Sequence, residues 1–127
     1  MKILLAILAL CAASVAYGQT QTAHTFSEFW TAPTEYTDGT PIPSGTVITY
    51  NWYVGINGPG SEPATPTQQN LPYTSAMYST NLVAGEDVCG YVTAVVNGVE
   101  SPHSNESCSI IPAAKPAAPV VTKSSAT

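Results

Sequence analysis

Two runs of β-favouring residues, VCGYVTAVV (88–96) and ESCSII (106–111), flank the dipeptide Asn97-Gly98, and each run holds one cysteine. Valine, isoleucine, threonine and tyrosine suit a pleated, half-buried strand, and Asn-Gly between such runs is a strong short-range turn signal. The stretch therefore predicts a β-hairpin. Side chains alternate faces with period two, so Val88, Val92 and Ala94 share one face and Cys89, Tyr91 and Thr93 the other. With the loop centred near Gly98 and Val99, Cys108 comes opposite Cys89, within reach of a disulfide. The bridge closes 18 intervening residues, a closure that contributes about 3 kcal/mol in the loop-entropy account. Two cysteines without clustered histidines make half a tetrahedral site, and there is no CxxC, so no metal or redox role is expected.

A disulfide needs an oxidising compartment, and residues 1–18, MKILLAILALCAASVAYG, supply the means to reach one. One lysine, an apolar run from Ile3 to Leu10 and small residues at Ser14, Ala16 and Gly18 read as a cleaved secretory signal, with cleavage after Ala16 or Gly18. The run is too short to span a bilayer, so no membrane insertion is expected after cleavage. Cys11 follows Leu10, where a lipid-attachment site would place a small residue, so Cys11 goes with the discarded peptide. The mature chain of about 109 residues makes one domain, over 19–111, followed by a Pro/Ala-rich tail at 112–127.

Charge narrows the partners. The protein has no arginine; its three lysines are Lys2, Lys115 and Lys123, whereas all eight acids lie between Glu28 and Glu106. Between Gln19 and Ile111 only His24 and His103 can carry positive charge. Such a domain cannot neutralise phosphates or anionic headgroups, which excludes nucleic acid and acidic membrane surfaces. A protein or a surface polysaccharide remains as partner; composition does not fix the oligomeric state.

Proline and glycine punctuate the mature chain roughly every 8 to 15 residues, the spacing of short strands in a sandwich or barrel. Thr25–Trp30 is expected to be a strand with Phe26 and Trp30 on one face, ended by Pro33. Glu35–Pro41 reads as a loop with Asp38-Gly39 at its tip. Thr46–Val54 is the strongest strand by composition, with Tyr50, Trp52 and Val54 on one face and Asn51 and Tyr53 on the other. Trp30 and Trp52 are taken as core. Residues 56–72 read as a polar loop with a short edge strand near Thr65–Gln69. Tyr73–Leu82 is a further strand, and 83–87 turns into the hairpin. The Pro- and Ala-rich tail is expected to be semi-extended.

In this order the motifs resemble a fibronectin type III domain over about 23–111. Trp30-Thr31-Ala32-Pro33 followed by Asp38-Gly39-Thr40-Pro41 is similar to the WxxP…DGTP pattern of bacterial and phage members. Tyr50-Asn51-Trp52-Tyr53-Val54-Gly55 resembles their next strand, Leu82-Val83-Ala84-Gly85 their Leu-x-Pro-Gly turn. Val92–Val95 and Glu100–Ser104 resemble the sixth strand and the loop after it. The resemblance implies an all-β, immunoglobulin-like sandwich of two sheets and about seven strands. Three positions depart from the pattern. Val88 stands where the family has the tyrosine of its corner hydrogen bond, Gly90 where a large inward apolar residue is usual, and Glu28 where leucine is usual. Either Glu28 escapes through a bulge or the register read there is wrong. There is no Arg-Gly-Asp tripeptide.

No catalytic constellation emerges: His24 and His103 are far apart in sequence, and no serine sits in a nucleophile-elbow pattern. Glu86-Asp87 and Glu35/Asp38 read as solvated acids, since neither resembles a calcium loop. No cofactor or metal is expected. Asn105-Glu106-Ser107 fits a glycosylation pattern that acts only in a host that uses it. The resemblance implies a non-enzymatic binding or structural module at a cell or particle surface, for adhesion or near carbohydrate. The alternative is a structural or decoration component of a phage virion; a small hydrolase or inhibitor is the third possibility. The candidate contact surface is Tyr36, Asp38, Tyr53, Tyr91 and His103, on and beside the loops Glu35–Pro41 and Gly98–Asn105.

Overall fold

A computed structural model of the protein describes residues 21–113 and 115–127; the leader read over 1–18 lies outside them. The described residues contain no helix, and none is therefore long and apolar enough to cross a membrane. They form seven strands: β1 (Thr22–Phe29), β2 (Thr49–Gly55), β3 (Gln68–Leu71), β4 (Ser75–Leu82), β5 (Asp87–Val96), β6 (Val99–Glu100) and β7 (Ser107–Ile110). These make two antiparallel sheets, β1-β4 and β3-β2-β5-β6, with β7 also on β5. The chain is thus all-β, a sandwich of a small and a larger sheet.

Alternation builds the interior. Tyr50, Trp52 and Val54 of β2 and Val88 and Val92 of β5 meet Phe26 of β1 and Ala76 and Leu82 of β4. Trp52 and Val88 are fully buried. Phe26 stacks on Trp52 at 5.9 Å between ring centroids, and Trp30 meets Tyr50 edge-on at 5.5 Å, arrangements that add to the burial of the rings themselves. Trp30 is half-buried at the margin of this core, less enclosed than the sequence suggests.

The hairpin is present with its turn at Asn97-Gly98, where both residues adopt positive φ, 51° and 77°, as a two-residue turn requires. Its second arm is interrupted. Glu100 pairs with Val95 and Ser107 with Gly90, so six residues (101–106) face four (91–94). The two extra residues bring Cys108 opposite Cys89 although the turn is centred earlier than the sequence reading placed it. The two cysteines are joined, with Cα atoms 4.1 Å apart.

Strand limits differ from expectation where prolines and turns intervene. β1 begins at Thr22, three residues earlier than read. β2 begins at Thr49, because Thr46 closes a turn onto the Pro43 carbonyl. The edge strand β3 lies at 68–71 rather than 65–69: Pro66 has no N–H to give, and the Thr67 N–H starts the ladder on Trp52. β1 pairs with β4 without interruption from Thr22↔Leu82 to Phe29↔Ser75. Glu28 therefore does not escape through a bulge; it points inward. The segment 112–127, where described, carries no strand and is exposed.

Candidate functional site

Four of the five candidate contact residues gather around one carboxylate, Glu100. β6 carries Glu100 on the outer face of the larger sheet, where it meets alternate residues of β2 and β5. Its Oε1 accepts from Tyr53 Oη at 2.7 Å, from Asn51 Nδ2 at 3.2 Å and from the Thr93 hydroxyl. These bonds, that of Thr93 first, hold the Glu100 carboxyl below its ordinary range, while the same carboxylate pushes the Tyr53 phenol up. Tyr53 stacks on Tyr91 at 5.0 Å, and Tyr91 on His103 at 4.6 Å. The three rings form a ladder with exposed His103 outermost and Tyr53, 8% exposed, at the base. Tyr53 is thus largely covered and supports the two rings above it.

On the other side of Glu100 the two candidate loops converge. A cleft of about 300 Å³ is lined by Glu35 and Tyr36 from the first loop and by Val99, Glu100, Ser101 and Pro102 from the hairpin, over Ala94 and Val96. The first loop is a miniature hairpin: Glu35 bridges Pro41, Tyr36 N–H donates to the Thr40 carbonyl, and Gly39 turns at φ 84°. Asp38 is committed to this turn. Its Oδ1 accepts from the Thr40 N–H at 2.9 Å and the Thr40 hydroxyl at 2.6 Å, which lowers its carboxyl. Asp38 thus shapes the loop and lies apart from the other four. Val99 (73% exposed) and Tyr36 (40%) leave apolar surface open to solvent here.

A second group of carboxylates was not nominated from the sequence. Glu28 enters the sandwich and accepts from Trp52 Nε1 at 2.5 Å. It occupies the space a side chain at residue 90 would take: a Cβ there would lie 2.4 Å from Glu28 Oε2. Burial raises the Glu28 carboxyl, the Trp52 bond opposes this, and the nearby Glu106 charge adds to the rise. Glu106 in turn accepts from Gly60 N–H at 2.9 Å and lies beside Glu62, whose Oε1 is buried without a donor. Burial first, and then the neighbouring Glu106, raise the Glu62 carboxyl, while Glu106 is lowered. The signal for this group was present in Glu28 and Gly90, the two breaks in apolar patterning.

Both histidines bond close by in sequence. His24 Nε2 bonds the Thr22 hydroxyl, and His103 Nδ1 donates to the Ser104 carbonyl. Asp87, Cys89 and Cys108 bring an oxygen and two sulfurs within 4.8 Å of one another, but both sulfurs are spent in the disulfide and offer no thiolate to a metal.

No protein-family model matches the chain, and no curated protein or solved structure matches it. The functional reading therefore stands on the residues described above.

Proposed function

We propose that the chain is an exported, non-catalytic binding module of the fibronectin type III kind, and that its ligand face is the cleft beside Glu100. One observation carries the reading: the two loops that the sequence resemblance assigns to contact line the same cleft. Its floor is apolar and its rim carries Glu35 and Glu100, with Glu100 fixed by three donors. A fixed carboxylate beside exposed apolar surface suits a protein segment that places an apolar side chain next to lysine or arginine. The absence of lysine and arginine from 19 to 111 favours the same partner, and the disulfide fits an oxidising compartment. Adhesion at a cell surface and attachment to a virion would both use such a face.

A displayed random-peptide library, with a glycan array in parallel, tests the proposal. Selected peptides should combine apolar and basic residues. Val99→Asp and Tyr36→Ala should each weaken them about tenfold, the loss of a modest hot spot, without changing Tm. Selection of glycans alone, or peptide binding indifferent to both substitutions, would overturn this assignment of the face.

A further inference from the structure

A second cleft, of about 420 Å³, opens beside Glu28, within the span of small-molecule sites, about 300–1,000 Å³. It shares no lining residue with the cleft beside Glu100. Three earlier features build it. Gly90 leaves the space that the Glu28 carboxyl takes. The two extra residues in 101–106 carry Asn105 to its wall, and Ser107 follows where β7 begins to pair with Gly90. Trp30, Thr31 and Ser104 also line a smaller cleft of about 180 Å³, so the two adjoin.

Four polar side chains on the walls are uncommitted. Thr31, Asn105 and Ser107 make no side-chain hydrogen bond among the described residues, and Glu28 accepts through Oε2 alone, from Trp52. Ser104, by contrast, is spent within the fold: its hydroxyl accepts from Val92 N–H and donates to the Asn105 carbonyl. Half-buried Trp30 stands among them, and its Nε1 is buried without an acceptor among the described residues. Native interiors seldom keep such an unmatched donor.

The donor and acceptor inventory selects a class of ligand. Asn105 offers two N–H groups and a carbonyl, Thr31 and Ser107 each a hydroxyl that gives and accepts, and Glu28 an accepting oxygen. An anion would meet Glu28 and the nearby Glu106 with no lysine or arginine between 19 and 111 to offset them. An ammonium only donates, and would leave the amide and hydroxyl protons unmatched. A neutral ring carrying several hydroxyls gives and accepts at once, and its C–H face packs on an indole. We infer that this cleft binds a neutral sugar ring, with Glu28 and Asn105 bonding its hydroxyls and Trp30 packed against its face.

A hexose has about a dozen non-hydrogen atoms, which at the efficiency of ordinary ligands gives a Kd of about 1 mM. The test therefore titrates the full chain, expressed for export, to about twenty times that concentration. The probes are the methyl glycosides of glucose, galactose and mannose, and N-acetylglucosamine, with ethylamine and glucuronate alongside. At least one neutral sugar should saturably shift the amides of Gly90, Asn105 and Ser107 and the Trp30 indole N–H, and glucuronate should bind about tenfold more weakly. Asn105→Ala and Ser107→Ala, both at exposed positions, should each weaken that sugar about fivefold, the loss of one neutral hydrogen bond, without moving Tm. No shift with any of the four sugars, shifts confined to Val99 and Glu100, or equal affinity in both variants would overturn the inference. So would tighter binding of ethylamine or glucuronate than of every neutral sugar.

Discussion

Glu28 and Gly90 each violate the apolar pattern of a core, and they do so against each other. The side chain absent from Gly90 leaves the space that the Glu28 carboxylate fills, and Trp52 supplies the donor a buried carboxylate requires. Gly90→Ala would displace Glu28 from Trp52 and should cost about 1–2 kcal/mol, read as a fall in denaturation midpoint; adding Glu28→Ala should recover part of that loss. The pH response separates the carboxylates. Glu28 is raised in the folded chain, so folding takes up protons there. Its contribution is full below the unfolded pKa and is lost as pH rises through the folded value. Glu100 is lowered, so its contribution is present above the unfolded pKa and is lost as pH falls through the folded value. A Tm profile should therefore fall less steeply above about pH 4.5 in Glu28→Gln than in the parent, while Glu100→Gln should lower Tm at neutrality and reduce the loss on acidification.

Much of this was legible residue by residue, and the failures have physical causes. Alternation put Tyr50, Trp52 and Val54 inside because period two is a property of the strand itself. It could not place Glu28, because the space that receives that side chain is made by a glycine on another strand of the opposite sheet. It named the two loops of the cleft but not the role of Glu100, whose three donors come from β2 and β5. Alternation turns Tyr53 outward, toward the surface; in the fold that outward face is roofed by Tyr91 and Glu100.

Among the elements, the hairpin of β5 with β6 and β7 concentrates the local and covalent constraints. Its turn needs positive φ at Asn97 and Gly98. Gly98→Ala should cost about 1 kcal/mol, measured by denaturant titration. The disulfide spans the same element, and Cys89→Ser/Cys108→Ser should remove about 3 kcal/mol, a fall in Tm on the order of 10–20 °C for a domain this size. An unchanged Tm would deny the bridge its stabilising part. Alternation with a turn near Gly98 and Val99 put Cys89 opposite Cys108; in the fold the turn lies one residue earlier and two extra residues in the second arm restore the same pairing. The uneven arms were not readable: no local rule says that 101–106 carries two extra residues while Ser101 and Ser104 stay bonded to Ala94 and Val92, an irregular stretch that also forms one bank of the cleft beside Glu28.

For the molecule as a whole, eight acids share a sandwich without lysine or arginine. Like charges at this density repel in the compact state, and salt screens them. Added sodium chloride should raise Tm, and a fall would count against net repulsion.

The positions of the three lysines carry one more consequence. A trypsin-like protease recognises a cationic side chain before the bond it cuts. From residue 3 to 114 the protein offers none, and Lys115 is followed by Pro116. Of the lysines among the described residues, Lys123 alone precedes a bond such an enzyme can cut, on an exposed segment that carries no strand. Digestion by such an enzyme would trim that segment and stop, even when the sandwich briefly opens, so endurance against this class of enzyme comes from composition and asks nothing of the fold's stability.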